Sequence, residues 1–567
     1  MSCLKRHWVC VDGRFVHYRR GGHGPTLLLI HGSPQSSGAL TNLAERLSAR
    51  FCVIAPDNPG NGLSDALGSP SEDPLDYGRA LLALMDALDL TRVAAYGFHT
   101  GAVIAAAAAG LAPARFSALA LDGLPMWTQD ERADLLTHYL PPHPPQWDGG
   151  HLWWAWMRLE EQTLYFPWYA HSPQHRMLSG RGTPERIHAN LIDLLDAGEA
   201  YRPLYSAAFR ADGQTLARAF CGPRLVFAVR SDPLAGHLDR LAQQDPALQV
   251  QICADRDDAD ERLAAFLAAH PAQPAPAAPE PGTDRNGLSR GFAEIAAMPE
   301  APAGCSKGVH TIGWRGSLTG AGRPLILLHD AGGSSKLWTG GLGEIAQHRP
   351  VLAIDLPGHG WSRETNWPSR SDDGVEIVAA ALRPTIRDLG LETAAVAGLH
   401  VGGQIALALQ TATSTAGGAA IIGAPHYTPA ERRRFARHYP PRVGVSPDGG
   451  HVLRAWRCVR LQALAFPWFD PSPQAALCPA SDALDLQVLH RRAVDLLKAG
   501  VNADRAYLSQ FAYPTKPAVH RTRAPILRWL QDPLCQPDRI AALAPDAIVD
   551  LPARPRDWAA VLAQWRR

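Results

Sequence analysis

A chain of 567 residues is too long for one compact core, so two or more domains are expected. Its 55 basic and 54 acidic side chains leave a net charge of +1, which gives no electrostatic reason to expect nucleic acid or an anionic membrane as a partner. The 9 cysteines form no C-x-x-C motif, so neither a disulfide framework nor a zinc site is indicated. Because the sequence has no apolar run of about 18 residues and no signal-peptide pattern, we expect a soluble cytoplasmic protein.

The first elements along the chain predict a sheet that is covered on both faces. The N-terminal segment predicts a β-hairpin that turns at Asp12-Gly13. Short apolar runs then alternate with segments of helical period, which is typical of a mainly parallel sheet flanked by helices. A segment rich in Trp, His and Pro, at about residues 127–209, lies between the fourth and fifth runs. The runs are PTLLLI, FCVIAP, RVAAYG, SALALD, RLVFAV and LQVQIC.

The second half of the chain repeats the first. The segment DNPGNG at residues 57–62 corresponds to DLPGHG at residues 355–360, and Ser231-Asp232-Pro233 corresponds to Gln531-Asp532-Pro533. The offset stays close to ~300 residues, which is the size of a domain and not of a solenoid repeat. The chain is therefore interpreted as a tandem duplication of one whole domain.

The predicted boundaries follow from this duplication. We expect a first domain at residues 1–270 with its insertion at about 127–209, and a second at residues 305–567 with its insertion at about 427–511. Residues 271–304 begin with a stretch dominated by Pro and Ala, which predicts a semi-extended linker. Within it, Gly291–Met298 is compatible with a short helix. Two copies of one fold can pack as an intramolecular pseudo-dimer.

Each copy contains a strand, a tight G-x-X-x-G turn and a helix. In the first copy this is VAAYGFHTG at residues 93–101, and in the second it is TAAVAGLHVGG at residues 393–403. The glycines let strand and helix approach closely, while the central residue takes a strained conformation at the top of the sheet. Such a turn usually presents a nucleophilic Ser, Asp or Cys. Here the central residue is His99 in the first copy and His400 in the second.

Together with the strand that ends in His-Gly, the D-x-P-G-x-G motif and a late Asp, these turns resemble the α/β-hydrolase superfamily. The resemblance is to its capped branch of epoxide hydrolases, haloalkane dehalogenases and C–C hydrolases. It implies an α/β fold class, with two tandem α/β-hydrolase folds, each a mainly parallel sheet flanked by helices with a helical cap insertion. It also implies an acid at Asp232 and at Asp532, the positions after a late strand.

The same resemblance implies an oxyanion hole made of backbone N–H groups. In the first copy the donors would be Ser33 and Thr100, and in the second Ala331 and Val401.

The sequence departs from the family at the last catalytic position. A histidine is expected after the final strand of each domain, but the chain reads Ala254-Asp255-Arg256 in the first copy and Ala553-Arg554-Pro555 in the second. A Ser-His-Asp or an Asp-His-Asp mechanism is therefore excluded. An imidazole at the turn extends about 3 Å farther than a serine hydroxyl. We predict that it reaches the acid directly and forms a His–Asp dyad.

This dyad predicts an enzyme that acts on a small, largely apolar organic substrate. His99 would serve as a general base, oriented by Asp232, in hydrolysis, C–C cleavage or lyase chemistry. Such chemistry requires no metal and no organic cofactor, and its partner is the small-molecule substrate, with no role for nucleic acid or membrane. The alternative is a non-catalytic pseudo-hydrolase that binds a small molecule or serves as an assembly partner.

Further candidates lie in the two insertions. His151 and His451 are placed beside Trp156 and Trp456. A cap histidine that faces the pocket would replace the missing one, and a structural histidine is an equal alternative. The tryptophans are expected either to pack on the core or to line an apolar pocket.

The two copies also differ in ways that favour the first as the active one. Asp122 occupies another position where the superfamily can carry its acid, but its counterpart in the second copy is Ile422. Thr100 is replaced by Val401. By contrast, His31 and His329 are expected to hold loops by hydrogen bonds.

Overall fold

A computed structural model describes residues 4–177, 180–245, 248–296, 311–412, 417–478 and 483–566. Contacts divide the chain into two compact units. The first comprises Met1–Pro144 with Trp154–Asp284, and the second Pro145–Trp153 with Arg285–Arg567. Each unit contains an eight-stranded, mainly parallel sheet with helices on both faces. The predicted fold class, two tandem α/β-hydrolase folds, is therefore confirmed.

In the first unit, every apolar run that was predicted as a strand is a strand. β1 and β2 form the predicted antiparallel hairpin around Asp12-Gly13, and β2 also pairs antiparallel with β4. All other pairs are parallel, and the order across the sheet is β1-β2-β4-β3-β5-β6-β7-β8. The strands are β1 Lys5–Val11, β2 Arg14–Gly21, β3 Thr26–Ile30, β4 Cys52–Pro56, β5 Val93–Phe98, β6 Phe116–Asp122, β7 Arg224–Val229 and β8 Val250–Cys253.

The helices of the first copy cover both faces of this sheet, and residues 150–153, at the start of one of these helices, are grouped with the second unit. The predicted helical insertion between β6 and β7 is present and consists of α4 to α7, followed by α8. The helices are α1 Thr41–Leu47, α2 Pro74–Ala87, α3 Thr100–Leu111, α4 Gln129–His138, α5 Gly150–Glu161, α6 Pro184–Ala197, α7 Tyr201–Arg210, α8 Gly213–Ala219, α9 Ala235–Gln244 and α10 Arg256–Ala269.

The central strands are apolar throughout because both of their faces are buried. In β3, Leu28 and Ile30 belong to the core that includes α2 and α3, whereas Leu27 and Leu29 belong to the core that includes α1 and α10. Since successive side chains of a strand point to opposite faces, an uninterrupted apolar run supplies both cores at once. This explains why the runs do not alternate with polar residues.

The second unit has the same strand order, and its cap helices α14 to α17 again precede the seventh strand. Its sheet order is β16-β15-β14-β13-β11-β12-β10-β9. The strands are β9 Ser289–Glu294, β10 Thr311–Ser317, β11 Leu325–Leu328, β12 Val351–Ile354, β13 Ala395–Leu399, β14 Ala419–Ile422, β15 Ile526–Trp529 and β16 Ile548–Leu551. The helices are α11 Thr339–Ala346, α12 Gly374–Asp388, α13 Val401–Ala412, α14 Pro429–His438, α15 Gly450–Gln462, α16 Leu486–Ala499, α17 Val501–Ala512, α18 Thr515–Thr522, α19 Pro537–Leu543 and α20 Ala559–Gln564.

The short helix suggested at Gly291–Met298 is wrong, since residues 289–294 form β9 and Met298 lies outside the described residues. β9 pairs antiparallel with β10, so that Gly291 lies opposite Trp314. A Cβ at Gly291 would lie 2.3 Å from the Trp314 ring. An isolated helix of this length is marginal, whereas the sheet edge supplies partners for the backbone.

The proline-rich stretch before β9 is also held by backbone contacts. The N–H of Thr26 donates to the carbonyl of Gln273 at 2.9 Å, and the N–H of Cys10 donates to that of Pro281 at 2.8 Å. Residues of the predicted linker therefore lie along the first unit up to the division at Asp284. In the part of the chain that the structure describes, no helix is both long and apolar enough to cross a bilayer.

Candidate active site

The turn between β5 and α3 places His99 at the end of the sheet. His99 has φ 49° and ψ −109°, a conformation that is strained for a residue with a side chain. Two glycines make the turn possible. A Cβ at Gly97 would lie 2.2 Å from the carbonyl oxygen of Gly101, and one at Gly101 would lie 2.1 Å from that of Ile30. His400 has nearly the same φ of 48° in the second unit.

The imidazole of His99 reaches the carboxylate after β7. Its Nε2 lies 2.9 Å from Oδ2 and 3.1 Å from Oδ1 of Asp232. Asp232 is itself oriented by the N–H of Leu234, which donates to Oδ1 at 2.8 Å. The Asp232 side chain is 8% exposed, while that of His99 keeps 28% exposure. The pair is therefore anchored on the acid side and open on the histidine side.

The second unit repeats this pair with a closer contact. Nε2 of His400 lies 2.8 Å from Oδ2 of Asp532, whose Oδ1 accepts from the N–H of Leu534 at 2.9 Å. The side chains are 19% and 2% exposed. In both units the histidine at the turn contacts the acid directly, without an intervening residue, as the sequence predicted.

A glycine that the sequence analysis did not single out provides room for each imidazole. A Cβ at Gly123, directly after β6, would lie 2.4 Å from Cδ2 and 2.8 Å from Nε2 of His99. A Cβ at Gly423 would lie 2.7 Å from Cδ2 of His400 and 2.5 Å from Oδ2 of Asp532. The signal was present in the sequence, because glycine follows the equivalent strand in both copies.

Electrostatics couples the two members of the first pair. Burial by itself lowers the pKa of His99, but the charge of Asp232 and its hydrogen bond outweigh burial, so that the pKa is raised above its ordinary 6.5. Burial pushes the pKa of Asp232 upward, yet the charge and hydrogen bond of His99 and the N–H of Leu234 hold it below the ordinary value. The pKa of His400 is raised by the same balance, with Asp532 as its carboxylate.

One nitrogen of His99 is left for other chemistry. Because Nε2 faces a carboxylate, the favoured tautomer carries its proton there and leaves the lone pair on Nδ1. Within the described ranges, Nδ1 has no hydrogen-bond partner. The ring of Phe98 stacks on the imidazole with centroids 3.9 Å apart and covers one of its faces.

The predicted oxyanion donors lie on the two segments that meet at this turn. A Cβ at Gly32 would lie 3.6 Å from Cβ of His99, so the loop after β3 that carries Ser33 contacts the turn that carries Thr100. Neither the N–H of Ser33 nor that of Thr100 has an acceptor among the residues described. The N–H groups of Ala331 and Val401 in the second unit likewise have no acceptor in the described part of the chain. Thr100 also begins α3, where the helix dipole favours negative charge.

Asp122 has partners other than the histidine side chain. It is fully buried, and its Oδ2 accepts from the hydroxyl of Tyr96 at 2.8 Å and from Nη1 of Arg256 at 2.6 Å. Burial raises the pKa of Asp122, while Arg256 acts in the opposite direction. Arg256 follows the last strand, where the resemblance implies a histidine. Its guanidinium binds Asp122, the other position where the superfamily can carry its acid.

The cap histidines bind their own loops. Nδ1 of His151 accepts from the N–H of Gln146 at 3.1 Å, and Nδ1 of His451 accepts from the N–H of Ser446 at 3.3 Å. Both side chains are buried, and burial lowers the pKa of His451 to about 4. These contacts favour the structural alternative over a replacement for the missing histidine.

Two further expectations concern the cap tryptophans and the histidines at the strand ends. Trp156 and Trp456 are both buried, which places them in the packed interior of the fold. His31 accepts at Nε2 from the N–H of Asn58 at 2.9 Å, and His329 accepts from that of Leu356 at 2.9 Å. The expected loop-holding role of His31 and His329 is therefore confirmed.

Two protein-family models match the chain in tandem. One, described as "alpha/beta hydrolase fold", matches residues 25–141, and another, described as "Alpha/beta hydrolase family", matches residues 325–561. Between them they cover more than half of the chain.

Curated proteins with similar sequences include named enzymes. An epoxide hydrolase of Caballeronia sordidicola is 32% identical over 130 residues, which is 23% of this chain and 40% of that protein. Haloalkane dehalogenase 2 of Mycobacterium bovis is 30% identical over 130 residues, which is 23% of this chain and 46% of that protein. A cis-3-alkyl-4-alkyloxetan-2-one decarboxylase of Shewanella oneidensis is 34% identical over 92 residues, which is 15% of this chain and 28% of that protein. The chain thus spans less than half the length of these relatives.

Solved structures that were matched to the chain include epoxide hydrolases. Epoxide hydrolase A from Mycobacterium thermoresistibile is 19% identical, with a TM-score of 0.39, 48% of this chain covered and 100% of that one. An epoxide hydrolase from an endophytic Streptomyces is 18% identical, with a TM-score of 0.39, 47% of this chain covered and 96% of that one.

Proposed function

The chain belongs to the α/β-hydrolase superfamily, and we propose that its first copy is an enzyme in which His99 acts as a general base oriented by Asp232. The substrate is a small, largely apolar organic molecule, and the reaction is a hydrolysis or a C–C cleavage. The observation that carries this proposal is the 2.9 Å contact between Nε2 of His99 and Oδ2 of Asp232, which leaves Nδ1 for the substrate. The cytoplasmic location stays a prediction from the sequence.

In the hydrolytic form of the mechanism, Nδ1 takes a proton from a water molecule as the water oxygen bonds to the electrophilic carbon. The carbonyl π electrons move to the oxygen, and the N–H groups of Ser33 and Thr100 stabilise the resulting oxyanion. When the oxyanion collapses, the bond to the leaving group breaks, and the leaving group takes the proton from Nδ1. Asp232 stabilises the imidazolium throughout, because it accepts the hydrogen bond from Nε2.

For the second copy we propose the alternative, a domain that binds a small molecule without turning it over. Asp330 takes the place of Gly32 beside the donor Ala331. After burial and Asp532, the charge of Asp330 is among the influences on the pKa of His400, so a negative charge acts within this site. A carboxylate there opposes the development of an oxyanion, which disfavours the same chemistry.

The proposal is tested with the full chain on a substrate panel of p-nitrophenyl esters, aryl epoxides and vinylogous 1,5-diketones. We expect His99→Ala to lower turnover by about 100-fold or more on any substrate that the wild type converts, because the base is removed. His400→Ala is expected to leave turnover within about twofold of wild type.

His171→Ala provides the control, because this histidine of the first unit is 58% exposed and lies outside the site. Turnover that is undiminished in His99→Ala would contradict the base assignment. An equal loss from His400→Ala would contradict the non-catalytic assignment of the second copy.

A further inference from the structure

A buried arginine in the cap of the first unit has no carboxylate partner among the described residues. Arg158, on α5, is 1% exposed. Its Nη1 donates to Oε1 of Gln162 at 3.3 Å, whereas its Nε and Nη2 have no hydrogen-bond partner within the described part of the chain. The rings of Tyr139, Trp168 and Tyr201 lie 5.6, 5.7 and 5.9 Å from the guanidinium carbon. Such ring contacts offset only part of the cost of burying a charge.

The two unpaired groups have the geometry that carboxylate recognition requires. The Nε–H and one Nη2–H of a guanidinium point in the same direction along one edge of its plane. This edge donates two parallel hydrogen bonds to the two oxygens of a carboxylate. In Arg158 this edge is the one without a protein acceptor, while the remaining nitrogen is held by Gln162.

The second unit holds a guanidinium at the equivalent glutamine, but from another helix. Gln462 corresponds to Gln162, and Cys458 stands where the first copy has Arg158. Oε1 of Gln462 accepts from Nη2 of Arg492, on α16, at 3.0 Å. A guanidinium therefore contacts this glutamine in both units, from different positions in the sequence, but Arg492 is exposed whereas Arg158 is buried.

In the second unit the glutamine also contacts a buried tyrosine. In the second unit, Nε2 of Gln462 donates to the hydroxyl of Tyr507 at 3.2 Å. Burial chiefly raises the pKa of Tyr507, and the charges of Asp330 and Arg492 also act on it. Asp330 directly follows the strand-end histidine, in the loop that carries the oxyanion donor.

In the first unit, the tyrosine that corresponds to Tyr507 is Tyr205. Its hydroxyl lies 3.3 Å from the hydroxyl of Tyr139, one of the three rings around Arg158. Tyr205 and Tyr139 also contact Phe209. The arginine therefore packs against an aromatic cluster, and aromatic rings are a surface that suits the apolar body of a ligand.

We propose that Arg158 binds the carboxylate of an organic-acid substrate, with the aromatic rings of the cap around the apolar part of the molecule. This inference rests on the proposed function of the first copy and narrows its substrate class. The substrate then has an apolar body, a carboxylate held by the cap, and a reacting carbon presented to His99.

Binding tests this inference independently of turnover. The probes are phenylacetate and its neutral isostere phenylacetamide, titrated calorimetrically at pH 7.5 into the full chain carrying Arg492→Gln, so that the second unit does not contribute its own guanidinium. We expect phenylacetate to bind at least about tenfold more tightly than phenylacetamide, because a desolvated, charge-assisted pair is formed. Arg158→Met should abolish this preference and leave the affinity for phenylacetamide within about twofold.

Arg79→Met serves as the matched control, because this arginine of α2 forms an exposed ion pair outside the cap. The Arg79→Met variant should prefer phenylacetate over phenylacetamide to the same extent as the parent chain. His99→Ala should also keep the preference, so loss of turnover and loss of acid binding are separate results. Equal affinities in the parent chain, a measurement that needs no cap substitution, would overturn the inference. A preference that survives in a folded Arg158→Met variant would do so too.

Discussion

The two copies carry almost the same histidine–carboxylate pair in different surroundings. The Nε2 to Oδ2 distance is 2.9 Å for His99 and 2.8 Å for His400. The loop beside the pair begins with Gly32 in the first copy and with Asp330 in the second. The helix after the turn begins with Thr100 in the first copy and Val401 in the second. The proposed difference in function between the copies therefore rests on the residues around the pair and not on the pair itself.

The comparison also separates what the duplication preserves from what it changes. Both copies keep a glycine against the imidazole, at Gly123 and Gly423, and in both a backbone N–H donates to Oδ1 of the acid. These features depend on backbone geometry, which tolerates little change. The ion pair between buried Asp122 and exposed Arg256 has no counterpart at Ile422, because side-chain networks are replaced more easily than strand ends.

The largest effect is expected from closing the space that the imidazole occupies. Gly123→Ala places a methyl group 2.4 Å from Cδ2 of His99 at a backbone φ of +66°. We expect turnover to fall by about 100-fold, as the ring leaves Asp232, and the free energy of unfolding to fall by about 1–3 kcal/mol. Turnover assays and denaturant unfolding measure the two effects. Gly423→Ala should destabilise similarly but leave turnover unchanged, and equal losses of turnover would contradict the distinction between the copies.

The next effect concerns the carboxylate. Asp232→Asn removes the charge that raises the pKa of His99, so we expect turnover to fall by about 10- to 100-fold. General-base activity requires the neutral imidazole, so the wild-type rate should rise with pH through a pKa above 6.5, and the rise should move to lower pH in the variant. A pH–rate profile measures both. Asp532→Asn is the matched change, and a shift of the profile in that variant would count against the first copy as the active one.

A smaller effect is expected on stability as pH changes. Because the folded-state pKa of His99 lies above the ordinary 6.5, its interaction with Asp232 contributes stability that is fully present below pH 6.5. That contribution is lost as pH rises through the folded-state pKa. We expect the Tm of wild type relative to His99→Gln to decrease by a few °C over this interval, as followed by calorimetry. A Tm difference that grows with rising pH would contradict the assigned direction.

The smallest effect is expected from the residue that makes the loops differ. Asp330→Gly removes a negative charge that helps to raise the pKa of His400, so the imidazole should titrate at lower pH. NMR of the histidine ring protons measures this change, and His99 should titrate as before. An unchanged His400 titration would mean that Asp330 does not act on the second site, and the electrostatic reason for its proposed inactivity would then be lost.

Local patterns were sufficient to predict much of this protein. Uninterrupted apolar runs predicted the strands because a doubly covered sheet buries both faces of each strand. The repeated glycine turns predicted the positions of His99 and His400, and the missing late histidine predicted that these rings would meet Asp232 and Asp532. Chain order and side-chain length carry that information.

Other features depended on contacts between residues that are distant in the sequence, and only the tertiary structure decided them. β9 forms because a sheet edge is available to it, which no local propensity records. His151 and His451 accept hydrogen bonds from their own loops. Gly123 is required because the imidazole of His99, 24 positions earlier in the chain, leaves no room for a side chain. The unpaired edge of Arg158 emerges only when its neighbours are known. The sequence determines which groups are present, while packing decides which of their atoms remain available.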